Sequence, residues 1–349
     1  MARPIEWVDN RLRLLDQTKL PAQEAYLILD DYRAVAQAIN VLAVRGAPAI
    51  GVAAAYGLAL AAVHSRATDE AAFLREMEEA AGFLAATRPT AVNLFGALDR
   101  VMAAVTAAED LSQARHAAVK TAQRLFNETE VADRALSKHG ADLIDDGDSI
   151  LTICNTGALA TGAFGTALGV IRAAWDQGKD ISVLACETRP LLQGARLTMW
   201  ELDRYGIPAA QIVDSAAAHL MKHGRVQKVI TGADRIAANG DTANKIGTYA
   251  LACLAERHGI PFYIAAPRST VDLDTAGADQ IAIEERSPDE VTSFAGVRIS
   301  PPDSGARNPA FDVTPASLIT AIVTDAGVLG SPYAESLAAA LETTGGTGR

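Results

Sequence analysis

The sequence predicts an α/β protein: an N-terminal mostly helical domain over residues 1–126, then a domain over 127–345 built on a mainly parallel, doubly wound sheet. Two observations predict it. Ala-rich segments in the first 126 residues repeat their apolar positions with helical spacing. From residue 148 the texture changes to short apolar runs about 20–30 residues apart, mostly separated by helical patterns, the alternation that a buried parallel sheet requires. A length of 349 residues suits two domains better than one.

In order along the chain, helices are expected at 31–42, 50–64, 69–86 and 91–108, with breaks at "RGAP" and "TRPT". The run 47–63 is apolar but Ala- and Gly-rich, carries Pro48, and falls short of the ~20 strongly apolar residues of a membrane span; it reads as a buried helix. A helix over 112–140 leads into the second half, with no Gly or Pro before Gly140. Strands follow at "SILTIC" (149–154), "ISVLACE" (181–187), "AQIVDS" (210–215), "KVITGAD" (228–234) and "PFYIAAP" (261–267). Helical pattern fills "LLQGARLTMWELDRYG" and "NKIGTYALACLAERHG". A last helix is expected over 312–327, with Thr314 as N-cap and Pro315 in the first turn. The tail "ETTGGTGR" reads as disordered.

A net charge of −11 and a pI near 5.1 argue against a protein that binds nucleic acid through its phosphates. They leave room for a small anion held by a few Arg and Lys. Three widely spaced cysteines without a CxxC fit a reducing compartment better than a disulfide framework or structural zinc. The N-terminus lacks the apolar core of a signal peptide, so a cytoplasmic location is expected.

Cys154, Glu187, Asp214 and Asp234 all fall at carboxyl ends of predicted strands, where open α/β sheets bind ligands. Cys154 precedes "NTGALATG"; a following helix N-terminus would favour its thiolate, and the small residues either admit a substrate or pack the helix on the sheet. Cys186 and Cys253, inside strand and helix patterns, read as structural. Asp234, after an apolar strand, suits a proton donor if partly buried; a salt bridge to Arg235 or a loop cap is the plainer role. Asn244 and Lys245 are expected in the first turn of a helix capped by Asp241 or Thr242, a place that attracts phosphate. Arg45, Gly46 and Ala47 precede the buried helix, Arg88 lies in a similar break, and Arg189 and Gln193 sit at another strand-to-helix corner; together they suggest anion binding. His219 and His223 are four apart, but with no third ligand in sight a solvated helix face is the better reading than zinc. Dinucleotide, P-loop, GxSxG and HExxH motifs do not occur, and neither a cofactor nor a metal is signalled.

The segments "LRLLDQTKLP", "RGAPAIG", "TRPTAVNL", "CNTGALATGAFGTALGVI", "ETRPLLQGARLT", "TGADRIAANGDTANKIGTY" and "NPAFDVTP" follow one another over nearly the whole chain. In that order they resemble the methylthioribose-1-phosphate isomerase family of methionine salvage. The wider family includes ribose-1,5-bisphosphate isomerases and regulatory subunits of a eukaryotic translation-initiation exchange factor. The resemblance implies a helical domain joined to a Rossmann-like domain, in a homodimer without nucleic-acid or membrane partners. It implies aldose–ketose isomerisation of a sugar phosphate, with methylthioribose 1-phosphate first, another 1-phosphorylated pentose or deoxypentose second, and a non-catalytic sugar-phosphate-binding subunit third. It assigns Cys154 and Asp234 to the catalytic pair, and Arg45, Gly46, Ala47, Arg88, Gln193, Asn244 and Lys245 to substrate binding. One departure is visible: the family commonly has His before the catalytic cysteine, where this chain has Ile153.

Overall fold

The computed structural model describes residues 3–88 and 92–342. It divides into two compact units, Met1–Arg134 with Gly157–Gly165, and Ala135–Thr156 with Thr166–Arg349. The boundary expected at 126/127 falls inside one continuous helix, Leu111–Ala141, and the short segment after Cys154 belongs with the first unit.

The first unit opens with an antiparallel sheet that the periodicity did not reveal: β1 (Ile5–Val8), β2 (Arg11–Leu15) and β3 (Tyr26–Leu29). Asp9 and Asn10 turn the first hairpin with both φ positive, as the tightest hairpin turns require. Helices α1 (Tyr32–Asn40), α2 (Ala47–His64), α3 (Glu70–Ala85), α4 (Val92–Thr106) and α5 (Leu111–Ala141) follow. Asp31 and Asp69 cap α1 and α3 by accepting backbone N–H bonds. Helix α2 is long and apolar enough to cross a membrane by length and composition, yet 72% of it is buried inside the protein. Its small residues permit this: a Cβ on Gly51 would lie 2.8 Å from the Asn93 carbonyl oxygen of α4, and one on Gly57 3.0 Å from Leu84 of α3. The segment 157–165 carries one helical turn, α6 (Ala158–Thr161).

The second unit holds a seven-stranded sheet. Its strands are β4 (Ser149–Thr152), β5 (Ser182–Cys186), β6 (Ala209–Ile212), β7 (Lys228–Thr231), β10 (Phe262–Ala265), β15 (Ala321–Thr324) and β16 (Gly327–Leu329), in the order β16-β15-β10-β7-β4-β5-β6. All neighbours are parallel except the edge pair β15–β16. A smaller sheet of β11 (Val271–Asp272), β8 (Arg235–Ala237), β9 (Thr242–Lys245) and β14 (Phe311–Thr314) is inserted, beside a hairpin of β12 (Ser293–Phe294) and β13 (Val297–Arg298). Both faces of the large sheet are covered. Ile150 and Ile230 point to one core with Leu168 and Ile171 of α7 (Ala167–Asp176) and Leu202 of α8 (Met199–Tyr205). Leu151 and Val229 point to the other, with Met221 of α9 (Ala217–Lys222) and Leu251 of α10 (Thr248–His258). Adjacent residues facing opposite cores is the two-residue period of a strand buried on both sides.

One expectation needs correction here. Residues 312–327 form strand β14, a turn and strand β15, not a helix; the last described helix is Tyr333–Glu342. Pro315, read as a first helical residue, instead has an extended ψ of 140°, and Thr314 pairs with Thr242. The disordered tail expected over 342–349 lies, beyond its first residue, outside the described residues.

Candidate active site

The order of the large sheet fixes where its ligands can bind. From β4 the chain proceeds outward through β5 and β6, then returns to the opposite side of β4 as β7 and continues outward through β10 and β15. The reversal point is therefore the seam between β4 and β7, and the crevice beyond their carboxyl ends is where such sheets take ligands. Cys154 lies two residues past β4 and Asp234 three past β7. Leu151 is opposite Val229, so the same register carried forward brings Cys154 level with Gly232.

The loops that leave these strands are tied to one another. A Cβ on Gly232 would lie 2.7 Å from the Thr156 methyl, so the two loops meet where only glycine fits. Asp234 donates its N–H to the Ala243 carbonyl at 2.9 Å, placing it beside the strand that carries Asn244 and Lys245. At the end of that strand a Cβ on Gly247 would lie 3.0 Å from Ile153. The β5 side closes in the same way: Cys154 N–H donates to Thr188 Oγ1 at 2.8 Å, and Gly194, next to Gln193, packs so tightly on the Cys186 carbonyl that a Cβ would lie 1.7 Å from it. Cys154, Asp234, Gln193, Asn244 and Lys245 thus stand on segments linked one to the next by these contacts.

Cys154 and Asp234 are both half-buried. Arg235, the plainer partner considered for Asp234, makes an ion pair with Asp272 at 3.6 Å. Asn244 and Lys245 are not in a helix: they end β9, paired with Asp312 and Phe311, and α10 starts only at Thr248. Gly247 at φ +102° turns the chain from strand to helix, and Asp312 takes the capping role by accepting from Gly247 N–H at 2.7 Å and Tyr249 N–H at 3.1 Å. Burial raises the Asp312 carboxyl above its ordinary range. Asn244 donates to Thr248 Oγ1; Lys245 is buried, its ammonium on the Ala310 carbonyl at 2.8 Å and over the Phe311 ring. Gln193 is 6% exposed, and its Oε1 is buried without a hydrogen-bond partner, an acceptor that a bound hydroxyl would satisfy.

Arg45, Gly46, Ala47 and Arg88 belong to the first unit. Gly46, at φ +95°, precedes α2, and a Cβ there would lie 2.3 Å from the Ala160 carbonyl oxygen. Arg45 Nε donates to Gln17 Oε1 at 3.2 Å, and Gln17 Nε2 to the Leu159 carbonyl at 2.8 Å. Arg88 is half-buried; 89–91, the rest of its expected break, lie outside the described residues. Cys186 is fully buried, its thiol pushed up to about 12 by burial. The His219 and His223 rings lie 4.3 Å apart, tilted at 38°, with His223 Nδ1 on the His219 carbonyl. Among the described residues no group of three His, Cys, Asp or Glu could hold a metal ion.

The Initiation factor 2 subunit family matches residues 43–331. Methylthioribose-1-phosphate isomerase of Syntrophotalea carbinolica is 54% identical over 338 residues, 96% of this chain and 98% of the relative. Among solved structures, 5-methylthioribose 1-phosphate isomerase from Pyrococcus horikoshii OT3 is 43% identical with a TM-score of 0.94, covering 98% of this chain and 96% of that one. The structure of translation initiation factor eIF-2B, subunit delta, from A. fulgidus is 44% identical with a TM-score of 0.90, covering 98% of this chain and 100% of that one.

Proposed function

This chain belongs to the Initiation factor 2 subunit family, and from that membership we propose that it isomerises 5-methylthioribose 1-phosphate to 5-methylthioribulose 1-phosphate in methionine salvage. The observation that carries the reading is the placement of Cys154 and Asp234 on the loops after β4 and β7, the strands on either side of the chain reversal.

A phosphate on the anomeric carbon keeps the sugar from equilibrating with a free aldehyde, so the ring must be opened with the phosphate retained. Asp234 donates the proton to the ring oxygen. A hydrogen then moves from C2 to C1 while the C2 hydroxyl returns its proton to the Asp234 carboxylate, with Cys154 either relaying a proton through an enediol-like species or polarising the reacting carbons for a hydride shift. The half-buried thiol and the buried, apolar Ile153 that precedes it in the chain serve either route. Gln193, Asn244 and Lys245, with Arg45, Gly46, Ala47 and Arg88, are the proposed substrate-binding residues. Of these, the partnerless Gln193 Oε1 suits a sugar hydroxyl. The enzyme works in the cytoplasm as a homodimer.

The likeness to the A. fulgidus initiation-factor subunit favours a second reading, a regulatory subunit that binds sugar phosphate without turnover. An isomerisation assay on 1-phosphorylated pentoses with varied 5-substituents separates the two. Ketose formation, fastest with the methylthio group, is the expected result; tight binding without ketose from any of them would leave the subunit reading standing.

A further inference from the structure

Three of the seven non-glycine residues with positive φ among the described residues, Cys154 (φ 63°), Thr188 (φ 65°) and Leu192 (φ 58°), gather at the corner where β4 and β5 end. For a β-branched threonine this conformation is a genuine outlier, and it persists only where surrounding bonds enforce it. The bonds are present. Asp214, two residues past β6, accepts Thr188 N–H on Oδ1 and Arg189 N–H on Oδ2, both at 2.8 Å. Thr188, fully buried, donates its hydroxyl to the Cys186 carbonyl at 3.0 Å, which leaves its oxygen lone pairs turned to accept Cys154 N–H at 2.8 Å. On the other side Thr198 donates to the Cys154 carbonyl at 2.6 Å and accepts from Asn155 Nδ2, which also donates to the buried Glu201.

We propose that Thr188, itself held by Asp214, is a positioning residue that fixes the left-handed backbone of Cys154 and so aims its thiol, with Thr198 holding the carbonyl of the same residue. This role rests on the reading of Cys154 as the reactive thiol. Neither Thr188 nor Asp214 needs to touch substrate; each acts by keeping one side chain in a geometry that the backbone alone would not choose, and small misplacements of a reacting group are costly in rate.

The test compares Thr188→Val, which keeps the shape but removes the acceptor, with Thr188→Ser, which keeps the hydroxyl. Thr188→Val should lower kcat by about 10–100-fold with KM changed by less than about threefold, the scale of a misplaced reacting group. Thr188→Ser should recover most of that loss. Asp214→Asn, at a half-exposed position, should also lower kcat, and together with Thr188→Val the losses should be non-additive, because both act through one hydrogen-bond path. If Thr188→Val does not fold, Asp214→Asn carries the measurement. Unchanged kcat in either variant, or an equal loss in Thr188→Ser and Thr188→Val, would overturn the proposal. Cys154→Ala is measured alongside: if it is inactive while Thr188→Val is normal, only the positioning role falls, and if it stays active, the thiol reading itself falls.

Discussion

Asp234 and Cys154 face different chemical demands, and single substitutions separate them. Asp234→Asn preserves the side-chain outline and removes the acidic proton, so kcat should drop by roughly 10²-fold or more, the usual scale of general acid catalysis. Steady-state turnover checks it, and a near-normal rate would return Asp234 to a purely structural place beside β9. Cys154→Ala should abolish isomerisation with the fold and phosphate binding intact, and Cys154→Ser should not restore it, since a hydroxyl is a far weaker acid than a thiol. Alkylation offers a check that needs no turnover. Cys186 is sealed in the core with its thiol pushed up to about 12, so it should resist modification, whereas Cys154 should react and be protected by a substrate analogue. Loss of that protection in mass-spectrometric mapping would move the ligand away from β4.

Helix α5 carries a carboxylate with its own pH signature. Asp133 is fully buried, accepts Phe164 N–H and Gly165 N–H on Oδ2 at 3.1 and 2.8 Å, and burial raises its pKa from 3.8 to about 6. A carboxyl whose folded pKa lies above its unfolded one favours the fold while protonated. Its contribution is therefore complete at low pH and is lost as pH rises from about 4 through about 6, worth on the order of 2–3 kcal/mol at one pKa unit per ~1.4 kcal/mol. Asp133→Asn keeps an oxygen to accept the same bonds without the charge. Its melting temperature relative to wild type should rise between pH 5 and pH 8, and a difference independent of pH would reject the idea. Strands β4, β5, β7 and β10 were legible because a doubly buried strand shows as an unbroken apolar run. So was the placement of Cys154 and Asp234 past the strand ends. What escaped depends on partners distant in sequence. Asn244 and Lys245 join a strand only because β14 arrives about 65 residues later. The same pairing overrides the Thr314–Pro315 helix-start signature. The β1–β2 hairpin did leave a local sign, the Asp9–Asn10 pair between two segments that alternate apolar and charged residues. Thr188 left none, since nothing in "ETRP" announces a left-handed threonine.

Ligand binding should register in the stability of the whole protein. Inorganic phosphate or a substrate analogue that binds only the folded state adds RT ln(1 + [L]/Kd), about 2.7 kcal/mol at a hundredfold excess over Kd. A thermal shift should appear in wild type and shrink in Arg45→Ala, Arg88→Ala and Lys245→Ala; an undiminished shift in all three would place the anion elsewhere. Lys245 also holds the Ala310 carbonyl, so only the ligand-induced difference, not the starting melting temperature, reports on binding. Helix α2 has a consequence of another kind, in the timing of synthesis. It is made about 40 residues before α4, the neighbour against which Gly51 packs, is complete. At ribosomal speeds of about 5–20 residues per second that interval lasts roughly 2–8 s. For those seconds the nascent chain displays an apolar helix whose cover is incomplete, and the arrival of α3 and then of α4 completes it.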